Sequence, residues 1–233
     1  MNRLSVLAFV AALAATPALA EMTGASLDFG HSFFTEDSGI AKTSLGGSAE
    51  FAFSPMIGVQ GDLGLAKLRE IDDTATAFAL HGLFYVNQQT ALGVFYGVDD
   101  LDGDNVDFYG FEVGQRSDTF EVEAYVGRTE SSGLTGSMMG VEGRLQTMGS
   151  FGVGGKVQHV DMEGIDATRF GVTGDYSLPN GFALTAELGA VNSDDLGLDG
   201  TEPYIGIGAR FDFGMNRGTS FSRRSILGVA PGL

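Results

Sequence analysis

Cysteine and tryptophan are absent from the 233 residues, and only five prolines and 13 lysines and arginines occur. Without cysteine there is neither a disulfide framework nor a thiolate site. The few bases face 30 acids, for a formal net charge of −17. Such a chain repels nucleic acid, because neutralising phosphates needs clustered lysine and arginine. After residue 20 no stretch reaches the roughly eighteen apolar residues that mark a membrane helix. Nor does a 3.6-residue apolar stripe run through any later segment. The helical classes are set aside, and with them nucleic-acid binding and cysteine chemistry.

The N-terminus reads differently from the rest. Arg3 precedes an uncharged apolar run from Leu4 to Ala15, and Ala18-Leu19-Ala20 offers a small-x-small cleavage site before Glu21. That pattern predicts a secretory signal peptide over residues 1–20, too short to span a bilayer. Its removal takes away one arginine and no acid, so the exported chain is more acidic still. The 36 glycines follow no collagen-like period.

From there to residue 213 the dominant period is two. In 119–129, Phe120, Val122, Ala124 and Val126 alternate with Glu121, Glu123, Tyr125 and Gly127. In 57–65, Ile57, Val59, Leu63 and Leu65 oppose Gln60, Asp62 and Gly64. Successive side chains on a strand face opposite ways, so each such segment has one apolar and one polar face. About twelve segments repeat this, near 23–34, 42–53, 56–66, 74–86, 90–98, 106–116, 119–130, 136–147, 150–160, 167–178, 182–192 and 203–213. Most match the roughly 9–11 residues of a tilted membrane-crossing strand. Tight turns, as at Ser54-Pro55 and Pro179-Asn180-Gly181, alternate with longer links at 35–41, 67–73, 99–105, 131–135, 161–166 and 193–202. The expected fold is all-β: an antiparallel up-and-down transmembrane barrel of about twelve strands, with both ends of the barrel on the tight-turn side. A soluble sandwich or lipocalin-like barrel shares the alternation, but an inner face built repeatedly of glycine and charge suits a lumen better.

The last segment, Gly206-Ile207-Gly208-Ala209-Arg210-Phe211-Asp212-Phe213, resembles the terminal strand of Gram-negative outer-membrane β-barrel proteins. The family's assembly signal falls on Gly208, Phe211 and Phe213. The resemblance extends over most of the chain towards small porin-like barrels. It implies recognition by the barrel assembly machinery, contact with outer-membrane lipid and lipopolysaccharide, and residence in the outer membrane. One departure is that twenty residues follow the aromatic ending. This basic tail, 214–233, carries Arg217, Arg223 and Arg224 and no acid, and it leaves the barrel on the periplasmic side. A disordered end, a periplasmic contact with an anionic partner and a fold-back into the acidic lumen all remain open for it.

With the apolar rows turned to lipid, the pore-lining set becomes Asp28, Glu50, Asp62, Glu112, Arg116, Glu121, Glu123, Glu142, Arg144, Lys156, Arg169, Asp175, Glu187, Arg210 and Asp212. A charge facing hydrocarbon costs about 2–4 kcal/mol for Arg or Lys at mid-bilayer, which forces this inward assignment. Acids outnumber bases ten to five, so an open lumen is expected to show a mild cation preference. Barrels of about eight strands are filled by side chains and those of about sixteen enclose water. Twelve lies between, and the inner glycines favour an open channel for passive diffusion of ions or small hydrophilic solutes. The alternatives are a closed structural or adhesin-type barrel, then an outer-membrane hydrolase.

No cofactor is implied. Loop 99–105 offers Asp100, Asp102 and Asp104 as weak metal-ligand candidates, without the spacing of an EF-hand. Loop 193–202, with Asp194, Asp195 and Asp199, invites the same reading. The histidines are His31, His81 and His159. His31 and Ser32 are neighbours on one strand and point to opposite faces, so they make no nucleophile–base pair. The chain is therefore read as a non-enzyme.

Overall fold

The computed structural model describes residues 21–69, 73–147, 149–162, 164–193, 200–214 and 218–229. The expected signal peptide, Arg217, and the aspartates at 194, 195 and 199 lie outside them. The chain forms twelve strands: β1 (Glu21–Phe34), β2 (Ala41–Ser54), β3 (Ile57–Leu68), β4 (Asp73–Tyr85), β5 (Thr90–Leu101), β6 (Asp104–Arg116), β7 (Phe120–Ser131), β8 (Leu134–Gln146), β9 (Phe151–Met162), β10 (Ile165–Ser177), β11 (Phe182–Ser193) and β12 (Gly200–Phe213). Each pairs antiparallel with its sequence neighbours. β12 closes on β1 with Ala25 opposite Phe213 and Phe34 opposite Tyr204. The twelve-stranded up-and-down barrel is as the period-two pattern predicts, and no strand end is displaced by more than three residues.

The two faces of the wall are inverted relative to a soluble barrel. Phe111 and Leu188 are 68% and 63% exposed on the outside, whereas Gln60, Asp62 and His81 are 0% exposed within. Leu27, Phe29, Leu45, Val94, Val126, Val141, Val172 and Ile207 continue the outer apolar belt. An apolar surface of that extent needs lipid, not water, around it. At the rim carrying Glu21 and Phe213, outward rings meet in pairs, Phe151 with Tyr176 at 4.9 Å and Phe211 with Phe213 at 5.7 Å. They form one arc of the aromatic girdle expected at a membrane interface. We call this the near rim.

Towards the far rim the outer face turns polar. Tyr96 donates to Asp107, Tyr109 donates to Glu130 at 3.1 Å, and Asn192 donates to Thr201 at 2.8 Å. Here the inner face becomes apolar instead: Phe95, Phe108, Met138, Val160 and Met162 form a buried cluster. The strands, 12–14 residues long, exceed what the membrane needs and continue beyond it as a small soluble-type barrel.

That extension bears on two sequence expectations. Links expected to be long are two-residue hairpins at 102–103 and 132–133, and Met162 pairs directly with Ile165 where another was expected. Asp102-Gly103 and Ser132-Gly133 have φ of 53° and 90°, and of 51° and 85°. Both central residues at positive φ are the hallmark of the type I′ turn, whose twist matches that of paired strands. The near-rim connections, such as 86–89 and 178–181, are as long or longer, so connection length does not distinguish the two rims. The same geometry lends no support to the weak metal-ligand candidates Asp100, Asp102 and Asp104 and suits a solvated acidic loop. Asp100 pairs with Asn105 and Leu101 with Asp104 across the hairpin, so the three carboxylates sit on a ladder and its turn instead of around a common point. Among the described residues no group of three or more histidines and acids is placed to hold a metal.

Candidate functional site

The lumen is not empty. The described part of the tail is Gly214, at φ 92°, and residues 218–229, which run inward from the near rim. Such irregular backbone is tolerated at membrane depth only where protein or lumen water satisfies its polar groups. Here inner side chains do so. The Ser220 N–H donates to Glu50 at 2.6 Å and the Ser222 N–H to Glu123 at 2.9 Å. Gln60 brackets Phe221, accepting from its N–H at 3.2 Å and donating to its carbonyl at 2.9 Å. Further up, Asp99 accepts from the Ser225 hydroxyl and the Ile226 N–H, both at 2.7 Å. A short 3-10 turn follows, Ile226–Gly228, capped by Ser225. Lys42 donates to the Leu227 carbonyl at 2.6 Å, and Arg169 donates to that of Gly228. Val229 then joins the far-rim apolar cluster. The segment spans most of the height of the barrel.

Its two described arginines lie against the acidic wall. Arg223 reaches Asp28 at 2.6 Å. Arg224, with its side chain 2% exposed, lies between Glu112 at 3.1 Å and Glu123 at 2.8 Å and over the ring of Tyr125. Phe221 stacks on His81, whose two ring nitrogens meet Asp62 at 2.8 Å and Glu112 at 2.6 Å. The Ser222 hydroxyl donates to Glu142. A buried charge is stable only when paired and hydrogen-bonded, and the tail supplies those partners to one side of the wall.

Glycine on the wall makes the room. A Cβ at Gly24 would lie 1.6 Å from the Gly218 carbonyl oxygen, and one at Gly46 would lie 1.3 Å from Arg223 Nη1. The inner glycines that suggested a wide lumen are thus partly the seat of the tail.

The remaining expected residues pair around the other side. Arg144 grips Asp175 in a bidentate pair at 2.7 and 2.6 Å. Lys156 and Arg169 share Glu187 at 2.9 and 2.7 Å. Arg210 meets Asp212 at 2.8 Å, and Arg116 meets Glu121 at 3.5 Å. Two cavities run beside the tail there. One, of about 330 Å³, is lined by Lys42, Lys156, Arg169, Arg210 and Arg223 against only Asp28 and Glu187. The other, of about 420 Å³, adds Arg116, Glu121, Glu123, Glu142, Arg144, Asp175, Asp212 and Arg224 and shares Asp28, Lys156, Arg169, Glu187, Arg210 and Arg223 with the first.

Sequence reasoning missed Lys42 and Asp99. Asp99 continues the inner row of Phe95 and Gly97 and is 2% exposed, so one more step of period two would have included it. His31 and His159 lie on the rows of the lipid-facing residues and bond to Thr43 and Thr168, each at 2.9 Å.

A closed, inside-out barrel with a charged lumen is the architecture of an outer-membrane β-barrel. No family model and no curated protein matches the chain. Solved structures do. A KdgM porin matches with TM-score 0.60 at 12% identity, over 81% of this chain and 99% of that one. A NanC porin matches with TM-score 0.64 at 8% identity, over 79% and 98%. An outer-membrane channel from Pseudomonas putida F1 matches with TM-score 0.55 at 10% identity, over 85% and 97%. At these identities the likeness establishes the fold.

Proposed function

We propose that this protein is a porin-like channel of a Gram-negative outer membrane, passing ions or small hydrophilic solutes by diffusion beside its internal C-terminal segment. The observation that carries the reading is the pair of cavities flanking that segment, which share Asp28, Lys156, Arg169, Glu187, Arg210 and Arg223 in their walls. Charged side chains along a passage set the selectivity of a pore. The KdgM porin fold has also been solved with a disordered oligogalacturonate, so a barrel of this shape accommodates a hydrophilic chain. The outer apolar belt and girdle fit a bilayer of lipid and lipopolysaccharide. Gly208, Phe211 and Phe213, at the end of the closing strand, are proposed as the handle for the barrel assembly machinery.

A hydrolytic role draws no support from the histidines. His81 has both nitrogens bound to carboxylates, and His31 and His159 share the lipid-side rows. An adhesin gains little from two-residue far-rim hairpins such as 102–103 and 132–133.

The purified protein in a planar bilayer tests the reading. We expect discrete, stable steps of small conductance, and swelling of loaded proteoliposomes in small sugars. A folded, heat-resistant barrel that conducts nothing and admits no sugar would be a closed structural barrel.

A further inference from the structure

The sequence alone gives a lumen with twice as many acids as bases, hence cation preference. The seated tail changes that count. Of the acids facing the lumen, Asp28, Glu50, Asp99, Glu112, Glu123 and Glu142 each bond to residues 220–227. Asp62 lies behind them, closed off by His81 and Gln60. What remains open is the 330 Å³ cavity, with five cationic residues against two acids, and the 420 Å³ cavity, whose charged lining is balanced at seven and seven. One of those five, Arg223, belongs to the tail itself.

We infer that the C-terminal segment 218–229 is a resident plug that determines the charge selectivity of the passage. Seated, it ties up six carboxylates of the wall and leaves a narrow path that is balanced in one cavity and has a surplus of positive charge in the other. Displaced, it uncovers six carboxylates and widens the path. The inference rests on the channel reading and adds to it that selectivity belongs to a removable element instead of to the wall.

The segment can be displaced without altering its own charges. Gly24→Val places a side chain where the Gly218 carbonyl now lies, at the point where the segment enters the barrel. A second full-length variant, Arg223→Gln with Arg224→Gln, loosens the segment by removing its ion pairs. Heat-modifiable gel mobility establishes that each is folded. Conductance and the zero-current potential are then read in a potassium chloride gradient. The intact protein is expected to show the smaller conductance and a potential on the anion-selective side. In Gly24→Val the conductance rises and the potential crosses to the cation-selective side, although no charge has been removed. The double variant moves the same way.

A folded Gly24→Val protein with unchanged conductance and potential overturns the inference and leaves the channel reading standing. So does an intact protein more cation-selective than its variants. If neither the intact protein nor the folded variants conduct, both readings fall.

Discussion

The side chains that define the lumen work as a linked set and not as separate charges. Asp62, His81, Glu112, Arg224 and Glu123 form one chain of contacts under Phe221, each supplying the next with a partner. His81→Leu would leave two wholly buried carboxylates facing an apolar side chain. Removing one member of a buried ion pair typically costs about 3–5 kcal/mol. We expect a clear fall in the urea midpoint of the detergent-solubilised barrel, with Gln60→Leu milder because no charge is stranded. Equal midpoints for His81→Leu and the parent would show that the network does not support the fold. At this scale the sequence was informative wherever alternation was clean. Glu121 and Glu123 share an inner row because Phe120 and Val122 fix the outer one. It was silent on which charges meet. Nothing local to Glu112 announces an arginine 112 positions later.

Among the strands, legibility follows the membrane. Where lipid covers the outside, as from Leu184 to Leu188, apolar and polar residues alternate and the strand is plain. Beyond the lipid, Asp99-Asp100 put acids on both faces of β5, and the pattern looks like a loop. The inner apolar residues Phe108, Met138 and Val160, which complete a soluble-type core there, belong to three different strands and show no run in the sequence. The turns were the remaining clue: Asp-Gly and Ser-Gly between paired segments mark two-residue hairpins. Gly103, at φ 90°, should tolerate a β-branched side chain poorly. A left-handed conformation costs an L-residue about 1–2 kcal/mol. Gly103→Val is therefore expected to lower the urea midpoint, whereas Asp102→Asn should leave it unchanged, since Asn favours that region. Millimolar calcium should leave the thermal unfolding of the parent unaltered. A calcium-dependent rise would support the metal reading of this hairpin.

The whole molecule is a wall with its own filling, and the filling was the least legible part. The tail's basic character stood out against an acidic barrel, yet composition alone left it disordered, bound elsewhere or folded back. Only closure of the ring brings Asp28, Glu50, Asp99 and Glu112, from four different strands, around one segment. Protease exposure gives a measure of that seating apart from conductance. Arg224 is 3% exposed, so trypsin should spare the bond after it in the folded parent and cut it readily in Gly24→Val. Cleavage at equal rates would mean that the segment is not held.

The path of the tail also implies an order of events. Its seat includes β1, which is completed as a wall only when β12 pairs with it, and the tail follows β12 directly in the chain. Until that last seam closes there is no enclosed space to occupy, and the arginines remain in water. Burial of Arg224 is thus expected to follow closure of the barrel. Its acquired resistance to trypsin acts as a clock hand that moves only after the ring has shut.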